Sequence, residues 1–154
     1  MSSKQDELRW HKEAYREFRS LVEEVDEQRF EDRWLDGRWG VREIVWHLAG
    51  WHRELSMGLE RMGRGERPVP EGVDWGDVQH WNDIFAAEAQ GKHKAQVLQE
   101  LDDQVARFRN LAEQLPADRF GPGKTASRIL DSTGTSHFRT HAAMIGDWLR
   151  ERVA

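Results

Sequence analysis

The sequence contains no cysteine, which excludes disulfides, thiolate metal ligands and a cysteine nucleophile. No stretch approaches the roughly 18 uninterrupted apolar residues that a membrane span requires. The first seven residues also lack the apolar core of a secretion signal. We therefore expect a cytoplasmic protein without a membrane partner, in which any reaction takes its nucleophile from water, another side chain or a cosubstrate.

Long basic runs are also missing. The formal net charge is -5, and residues of both signs are dispersed along the chain. A phosphate backbone is normally contacted by clustered Lys and Arg side chains. We therefore expect no nucleic-acid partner.

Tryptophan and histidine are abundant by contrast, with 8 Trp and 7 His in the chain. Tryptophan buries a large area and carries one N–H donor that needs a partner, which suits both a core and the wall of a ligand pocket. Composition does not separate these two uses.

The hydrophobic pattern predicts an all-α fold. Few β-branched runs alternate with period 2, whereas apolar residues recur three and four apart in long segments. The length is that of a single domain, which we expect to span residues 1–154. Four long helices and a shorter segment predict an antiparallel four-helix bundle. The predicted helical segments are at about 3–26, 41–62, 74–90, 97–115 and 135–152.

Glycine and proline mark the predicted connections. Residues 63–74, GRGERPVPEGVD, form the longest of them, between the second and third helices. The pairs Asp36-Gly37 and Trp39-Gly40 predict turns before the second helix.

Two histidines four residues apart, His137 and His141, occur in the stretch HFRTH. One helical turn separates them, so their side chains share a face and can reach one ion. Both fall within an apolar stripe, where a buried imidazole is costly without a hydrogen-bond partner or a metal. Chance alone gives about 0.3 such pairs in this sequence, so the spacing is weak support by itself. Phe138 replaces the glutamate of the zinc-protease motif, which removes the main support for peptide hydrolysis.

A metal site needs at least a third ligand, and the second helix offers His47 and His52. Both lie toward the inward side of that helix, so periodicity does not choose between them. His11, His80 and His93 are better explained as solvated or locally hydrogen-bonded histidines.

The stretch RWGVREIVWHLAGWHREL, residues 38–55, resembles the second-helix signature of the DinB-like four-helix bundle superfamily. The family pattern has Ser or Thr at the helix cap, where this chain has Gly40. SHFRTHAAMIGDW, residues 136–148, is similar to the superfamily's last helix, whose HxxxH supplies two of three metal ligands. The resemblance implies a three-histidine metal site. Its ligands would be His47, His137 and His141.

A closer likeness is to the ClbS/DfsB branch of this superfamily. RPVPEGVDW at 67–75 and HWND at 80–83 look like that branch's loop and its Trp/Leu-Asn element. TGTSHF at 133–138 resembles the start of its last helix. Many members of the branch lack the second histidine of the pair, whereas this chain keeps His141.

The resemblance implies an open site at one end of the bundle that holds a divalent ion such as zinc or nickel. Three neutral imidazoles leave coordination positions for water or substrate, as in catalytic rather than structural sites. Trp51, Trp81 and Asn82 would line the substrate pocket, although Trp51 is also a good core residue and Asn82 would need a polar partner. Glu43, one turn before His47, either orients that histidine or lies on the surface.

The implied function is detoxification of a small electrophilic metabolite, by hydrolysis or by transfer from a low-molecular-weight thiol that acts as cosubstrate. Without a cysteine in the chain, such a thiol must come from outside. A second hypothesis is a non-catalytic protein that sequesters a small molecule in a Trp-rich pocket, and a third is a bundle whose histidines are structural. The family likeness is also compatible with a homodimer.

Overall fold

The computed structural model describes residues 3–35 and 37–153, so Asp36 of one predicted turn lies outside the described residues. Within these ranges the regular structure is helical, apart from an isolated bridge between Leu35 and Trp39. The all-α prediction is confirmed. In chain order the α-helices are α1 (Lys4–Glu23), α2 (Glu27–Glu31), α3 (Val41–Gly63), α4 (Val78–Ala89), α5 (Lys94–Gln114), α6 (Thr125–Ile129) and α7 (Ser136–Val153).

Helices α1, α3, α5 and α7 form the bundle. Lys94 at the start of α5 donates to the Glu23 carbonyl at the end of α1 over 2.7 Å, so these two helices run in opposite directions. Glu60 near the end of α3 pairs with Arg107 near the end of α5 at 3.2 Å, which means that α3 and α5 run in the same direction. The long connection at 64–77, together with α4, returns the chain to the end of the bundle where α3 began.

The predicted start of α1 is confirmed in detail. The Ser3 hydroxyl accepts the backbone N–H of Asp6 at 3.1 Å, which satisfies one of the unpaired donors of the first turn. Buried apolar residues then recur along one face of the helix, from Leu8 through Phe18 to Val22.

Helix α3 is the centre of the bundle, and every residue from 41 to 52 is buried. Its N-cap, Gly40, packs so closely that a Cβ atom would lie 1.8 Å from the Asp32 carbonyl oxygen. Close backbone approach therefore requires glycine where the family pattern has Ser or Thr. Glu43 is buried and its oxygens accept the Gly40 N–H at 2.8 Å and the Arg42 guanidinium at 2.7 Å. Glu43 therefore neither lies on the surface nor hydrogen-bonds His47. It caps the start of α3 instead.

The last helix differs from the prediction at its start. It was expected from about Thr135, but helical structure begins at Thr125 in α6 and continues through a six-residue π-helical segment, Leu130–Thr135, into α7. π-Helical turns are rare and often lie at functional sites. This one lies directly before His137.

The core is built mainly from the buried aromatic and aliphatic residues of α1, α3, α5 and α7. Phe18, Leu48, Phe85 and Phe138 are all fully buried in one large cluster. A second cluster surrounds Phe108 toward the other end of the bundle. None of the described helices combines the length and apolar character that crossing a bilayer requires.

Candidate metal centre

Helices α3 and α7 bring His47, His137 and His141 together. One ring nitrogen from each histidine lies within 4.8 Å of the others. The Nε2 atoms of His47 and His137 are 2.9 Å apart, and the His137 and His141 rings have centroids 4.8 Å apart. The i,i+4 pair predicted from HFRTH therefore shares one face with a histidine from a second helix.

The π-helical segment sets the orientation of His137. Its Nδ1 lies 3.2 Å from the Thr133 carbonyl oxygen, which can only accept a hydrogen bond. His137 therefore donates from Nδ1, and its Nε2 carries a lone pair that points at His47. A carbonyl that fixes the tautomer in this way is typical of histidines that bind metals.

A divalent ion fits the chemistry of this cluster. The Nδ1 atom of His141 is buried and has no hydrogen-bond partner among the described residues. Such an atom is costly to bury unless something else satisfies it. An imidazole donor set suits zinc, nickel, copper and iron, and three protein ligands leave positions open for other groups.

Burial disfavours the charged form of all three imidazoles. Burial lowers the pKa of His47 well below its ordinary value, and the neighbouring His137 and His141 rings lower it further. Burial also lowers the pKa of His141 to about 4, with a smaller contribution from His137. The pKa of His137 is lowered by burial against an opposing effect of the Thr133 carbonyl. Metals bind the neutral form, so the site is already in the required state.

A cavity of about 360 Å³ opens beside His47 and His137. This volume falls within the range of small-molecule pockets. Two tryptophans and two aliphatic residues form its apolar wall, and two hydroxyl residues of the π-helical segment complete it. The lining residues besides the two histidines are Trp51, Leu55, Trp75, Val78, Ser132 and Thr133.

The three residues predicted to line the pocket differ in position. Trp51 lines the cavity, whereas Trp81 and Asn82 do not line it and contact Trp51 instead. The indole N–H of Trp51 donates to the Asn82 side-chain oxygen over 3.2 Å, and Trp81 packs on Trp51 with ring centroids 6.3 Å apart. Trp81 itself donates to the Asp74 carbonyl at 2.8 Å. Both residues therefore hold the Trp51 wall in position.

Several lining residues were not predicted from the sequence. Trp75 lies within the RPVPEGVDW stretch, so the branch likeness marked its segment without showing that it reaches the cavity. Ser132 and Thr133 reach the cavity because the chain is π-helical there, and no local sequence signal predicts that geometry. Leu55 on α3 and Val78 at the start of α4 both line the cavity because α4 packs against α3. Local sequence patterns do not specify that packing.

His52 and His11 lie apart from the three-histidine cluster. Both are fully buried, and their Nε2 atoms are 3.2 Å apart. The expectation that His11 is solvated or only locally bonded is therefore wrong, because its partner is on another helix. His80 and His93 are exposed.

The fold and the cluster define an all-α bundle with a three-histidine centre beside an aromatic cavity. A family model described as the DinB superfamily matches residues 11–147. The chain belongs to the DinB superfamily, and the resemblance read from its second and last helices is confirmed.

Solved structures share this fold over nearly the whole chain. The colibactin self-resistance protein ClbS, crystallised in complex with dsDNA, has a TM-score of 0.80 at 17% identity, covering 96% of this chain and 95% of its own. DfsB, described as a sibling lethal factor precursor, has a TM-score of 0.82 at 18% identity, covering 99% and 98%. An uncharacterised protein from Escherichia coli UTI89 has a TM-score of 0.83 at 18% identity, covering 99% and 95%. No curated protein matches the sequence.

The expectation of no nucleic-acid partner, which was inferred from the net charge, is wrong. ClbS has this fold and was crystallised with dsDNA. Net charge averages over the whole surface, whereas contact with phosphates needs only a local group of cationic side chains. A formal charge of -5 therefore does not exclude such a partner.

Proposed function

We propose that the protein is a metal-dependent hydrolase or thiol transferase that acts on small electrophilic metabolites. The observation that carries this proposal is the convergence of three neutral imidazoles, His47, His137 and His141, beside a cavity of about 360 Å³. These residues would hold a zinc or nickel ion. When bound, the ion would lower the pKa of a coordinated water or thiol and so supply a nucleophile near neutral pH.

The protein's own side chains would bind and orient the substrate. Trp51 and Trp75 offer flat apolar surfaces next to His47, which favours a ligand with an apolar body. Asn82 fixes the Trp51 ring through its indole N–H. The Thr133 carbonyl keeps the proton of His137 on Nδ1, so that Nε2 stays available.

The nucleophile is either water or an external thiol, since the chain has no cysteine. Both reactions open a strained or activated electrophile by adding a nucleophile. Hydrolysis and thiol transfer are therefore two forms of one proposed activity.

Turnover of model electrophiles tests the proposal. Zinc- and nickel-loaded protein is incubated with an epoxide and with an activated cyclopropane, each with and without glutathione, and product is measured by mass spectrometry. We expect product well beyond one equivalent per chain, lost in His137→Ala and retained in His93→Ala, whose histidine is exposed. Equal rates in wild type and His137→Ala would contradict the metal-dependent reaction.

Sequestration is the alternative function, and the Trp-rich wall of the cavity favours it. A sequestering protein would bind one ligand per chain and release no product. Saturation at one equivalent, with the electrophile recovered unchanged, would therefore support sequestration over catalysis.

Double-stranded DNA is a second candidate partner, because ClbS was crystallised with it. Fluorescence anisotropy of a labelled duplex tests this directly. Binding that weakens steeply with added salt would support contact with phosphates. An unchanged anisotropy up to high micromolar protein at low salt would exclude this partner.

A further inference from the structure

A second pair of histidines lies close to the proposed metal centre. His11 on α1 and His52 on α3 are both fully buried, with their Nε2 atoms 3.2 Å apart. Arg109 on α5 reaches the other side of His11, with its guanidinium 3.0 Å from Nδ1. Burying polar rings is costly unless every nitrogen is paired. The pairing of these four ring nitrogens is complete.

The hydrogen bonds of this pair form a chain in which each group donates to the next, from Arg109 through His11 and His52 to the Leu48 carbonyl. Arg109 can only donate, so His11 accepts at Nδ1 and carries its proton on Nε2. His11 therefore donates to Nε2 of His52, and His52 donates from Nδ1 to the Leu48 carbonyl over 2.7 Å. Each ring is thereby held neutral in a single tautomer.

This network is where the four long helices meet. The His52 ring stacks on Phe138 of α7 with centroids 5.1 Å apart and an interplanar angle of 30°. The His11 ring stacks on Phe108 of α5 with centroids 5.3 Å apart. Gly134 packs so tightly on His11 that an added Cβ would lie 2.2 Å from its ring. The π-helical segment therefore rests directly on the histidine pair.

Two residues that contact the histidine pair, Gly134 and Phe138, are the immediate sequence neighbours of residues of the metal centre. Gly134 directly follows Thr133, whose carbonyl accepts the proton of His137. Phe138 directly follows His137, and its ring is fully buried. A shift of the pair would thus move the backbone on both sides of His137.

We infer that Arg109, His11 and His52 are positioning residues for the metal centre. The network fixes the π-helical segment against α1 and α3, and so holds the Thr133 carbonyl and the His137 ring in the orientation that leaves Nε2 free. This inference rests on the proposed function, because it takes His137 as a metal ligand.

Cobalt binding tests the inference without measuring catalysis. Co²⁺ is titrated into metal-free protein, and its affinity and visible absorption bands are recorded for wild type and for two His11 variants. His11→Gln keeps one acceptor and one donor, whereas His11→Leu has a similar size and neither. Circular dichroism checks that each variant is folded.

We expect wild-type bands and affinity in His11→Gln. In folded His11→Leu we expect shifted bands and an affinity at least about tenfold weaker, as for other residues that orient a metal ligand. Phe138→Leu removes the stacking on His52 without leaving a buried donor unpaired, and should act in the same direction. Wild-type affinity and bands in folded His11→Leu or in folded Phe138→Leu would overturn the positioning role alone. A wild-type protein that binds no Co²⁺ would overturn the proposed metal centre and this inference together.

Discussion

At the scale of single residues, Asn82 contributes to the cavity through Trp51. Its side-chain oxygen accepts the Trp51 indole N–H at 3.2 Å, and the Trp51 ring in turn lines the cavity beside His47. An indole N–H can only donate, so the amide oxygen must face it. The amide therefore sets the angle of the aromatic wall.

Asn82→Ala should lower the free energy of unfolding by about 1 kcal/mol, because it leaves the partly buried Trp51 N–H without an acceptor. Asn82→Asp keeps an acceptor in the same place and should cost less. Urea denaturation followed by circular dichroism measures both. Equal losses in the two variants would show that the hydrogen bond does not stabilise the ring.

The choice between His47 and His52 shows what a sequence pattern can resolve. Periodicity placed both on the inward side of their helix, and both are buried. Their partners lie on other helices, His137 for His47 and His11 for His52. Helical phase carries no information about those partners. Only the family likeness selected His47 rather than His52 as the third predicted metal ligand.

At the scale of helices and turns, the start of α3 depends on a buried carboxylate. Glu43 satisfies the Gly40 N–H and pairs with Arg42, and all three residues are buried. Helix N-termini have backbone donors without intrahelical partners, and a buried one needs such a group. This contact fixes where α3 begins, six residues before His47.

Glu43→Ala should lower the free energy of unfolding by about 3 kcal/mol, because it leaves a buried donor and the Arg42 charge without their main partner. Glu43→Gln retains an acceptor for Gly40 and should cost less. The exposed Glu17→Ala is the control and should change stability by less than about 0.5 kcal/mol. Chemical denaturation of all three gives the comparison, and a Glu43→Ala value close to the control would refute the capping role.

The π-helical segment is a part of the fold that the sequence did not predict. Gly121, Pro122 and Gly123 indicate a loop, and the apolar stripe becomes regular only at about Thr135. A π-helical turn shifts the helical phase between Leu130 and Thr135, so a period of 3.6 cannot register it. The segment also makes a tertiary contact that periodicity does not encode, since Gly134 packs on His11 from a distant part of the chain.

At the scale of the whole molecule, local periodicity was sufficient for the long helices α1, α3 and α5 and insufficient for the arrangement of the helices. The long segments of α1, α3 and α5 follow from apolar spacing and from caps such as Ser3. The parallel course of α3 and α5 follows from the return path through 64–77 and α4, which periodicity does not specify. Likewise, net charge describes the whole surface and not a local group of cationic side chains. It therefore did not exclude a nucleic-acid partner.

Acid should destabilise the metal-free protein through its buried histidines. Burial lowers the pKa of His52 to about 3, so the folded state binds fewer protons than the unfolded state below pH 6.5. Stability is therefore highest above that pH, falls as pH falls below it, and stops falling from this cause near pH 3. Between pH 7 and 5, His52 alone should contribute a loss of about 2 kcal/mol.

Urea unfolding of EDTA-treated protein at pH 7, 6 and 5 measures this dependence. His52→Gln should lose less stability over the same range than wild type, while the exposed His93→Ala should follow wild type. Parallel curves for wild type and His52→Gln would contradict the assignment of the pH dependence to His52.

The most direct test of the proposed centre is the metal content of protein purified without an affinity tag. Elemental analysis should find about one divalent ion per chain in wild type and in His93→Ala, since three protein ligands suffice for one such ion. The ion should be lost in His47→Ala, His137→Ala and His141→Ala. An ion retained in all three variants, or absent from wild type dialysed against zinc and nickel, would contradict the three-histidine centre.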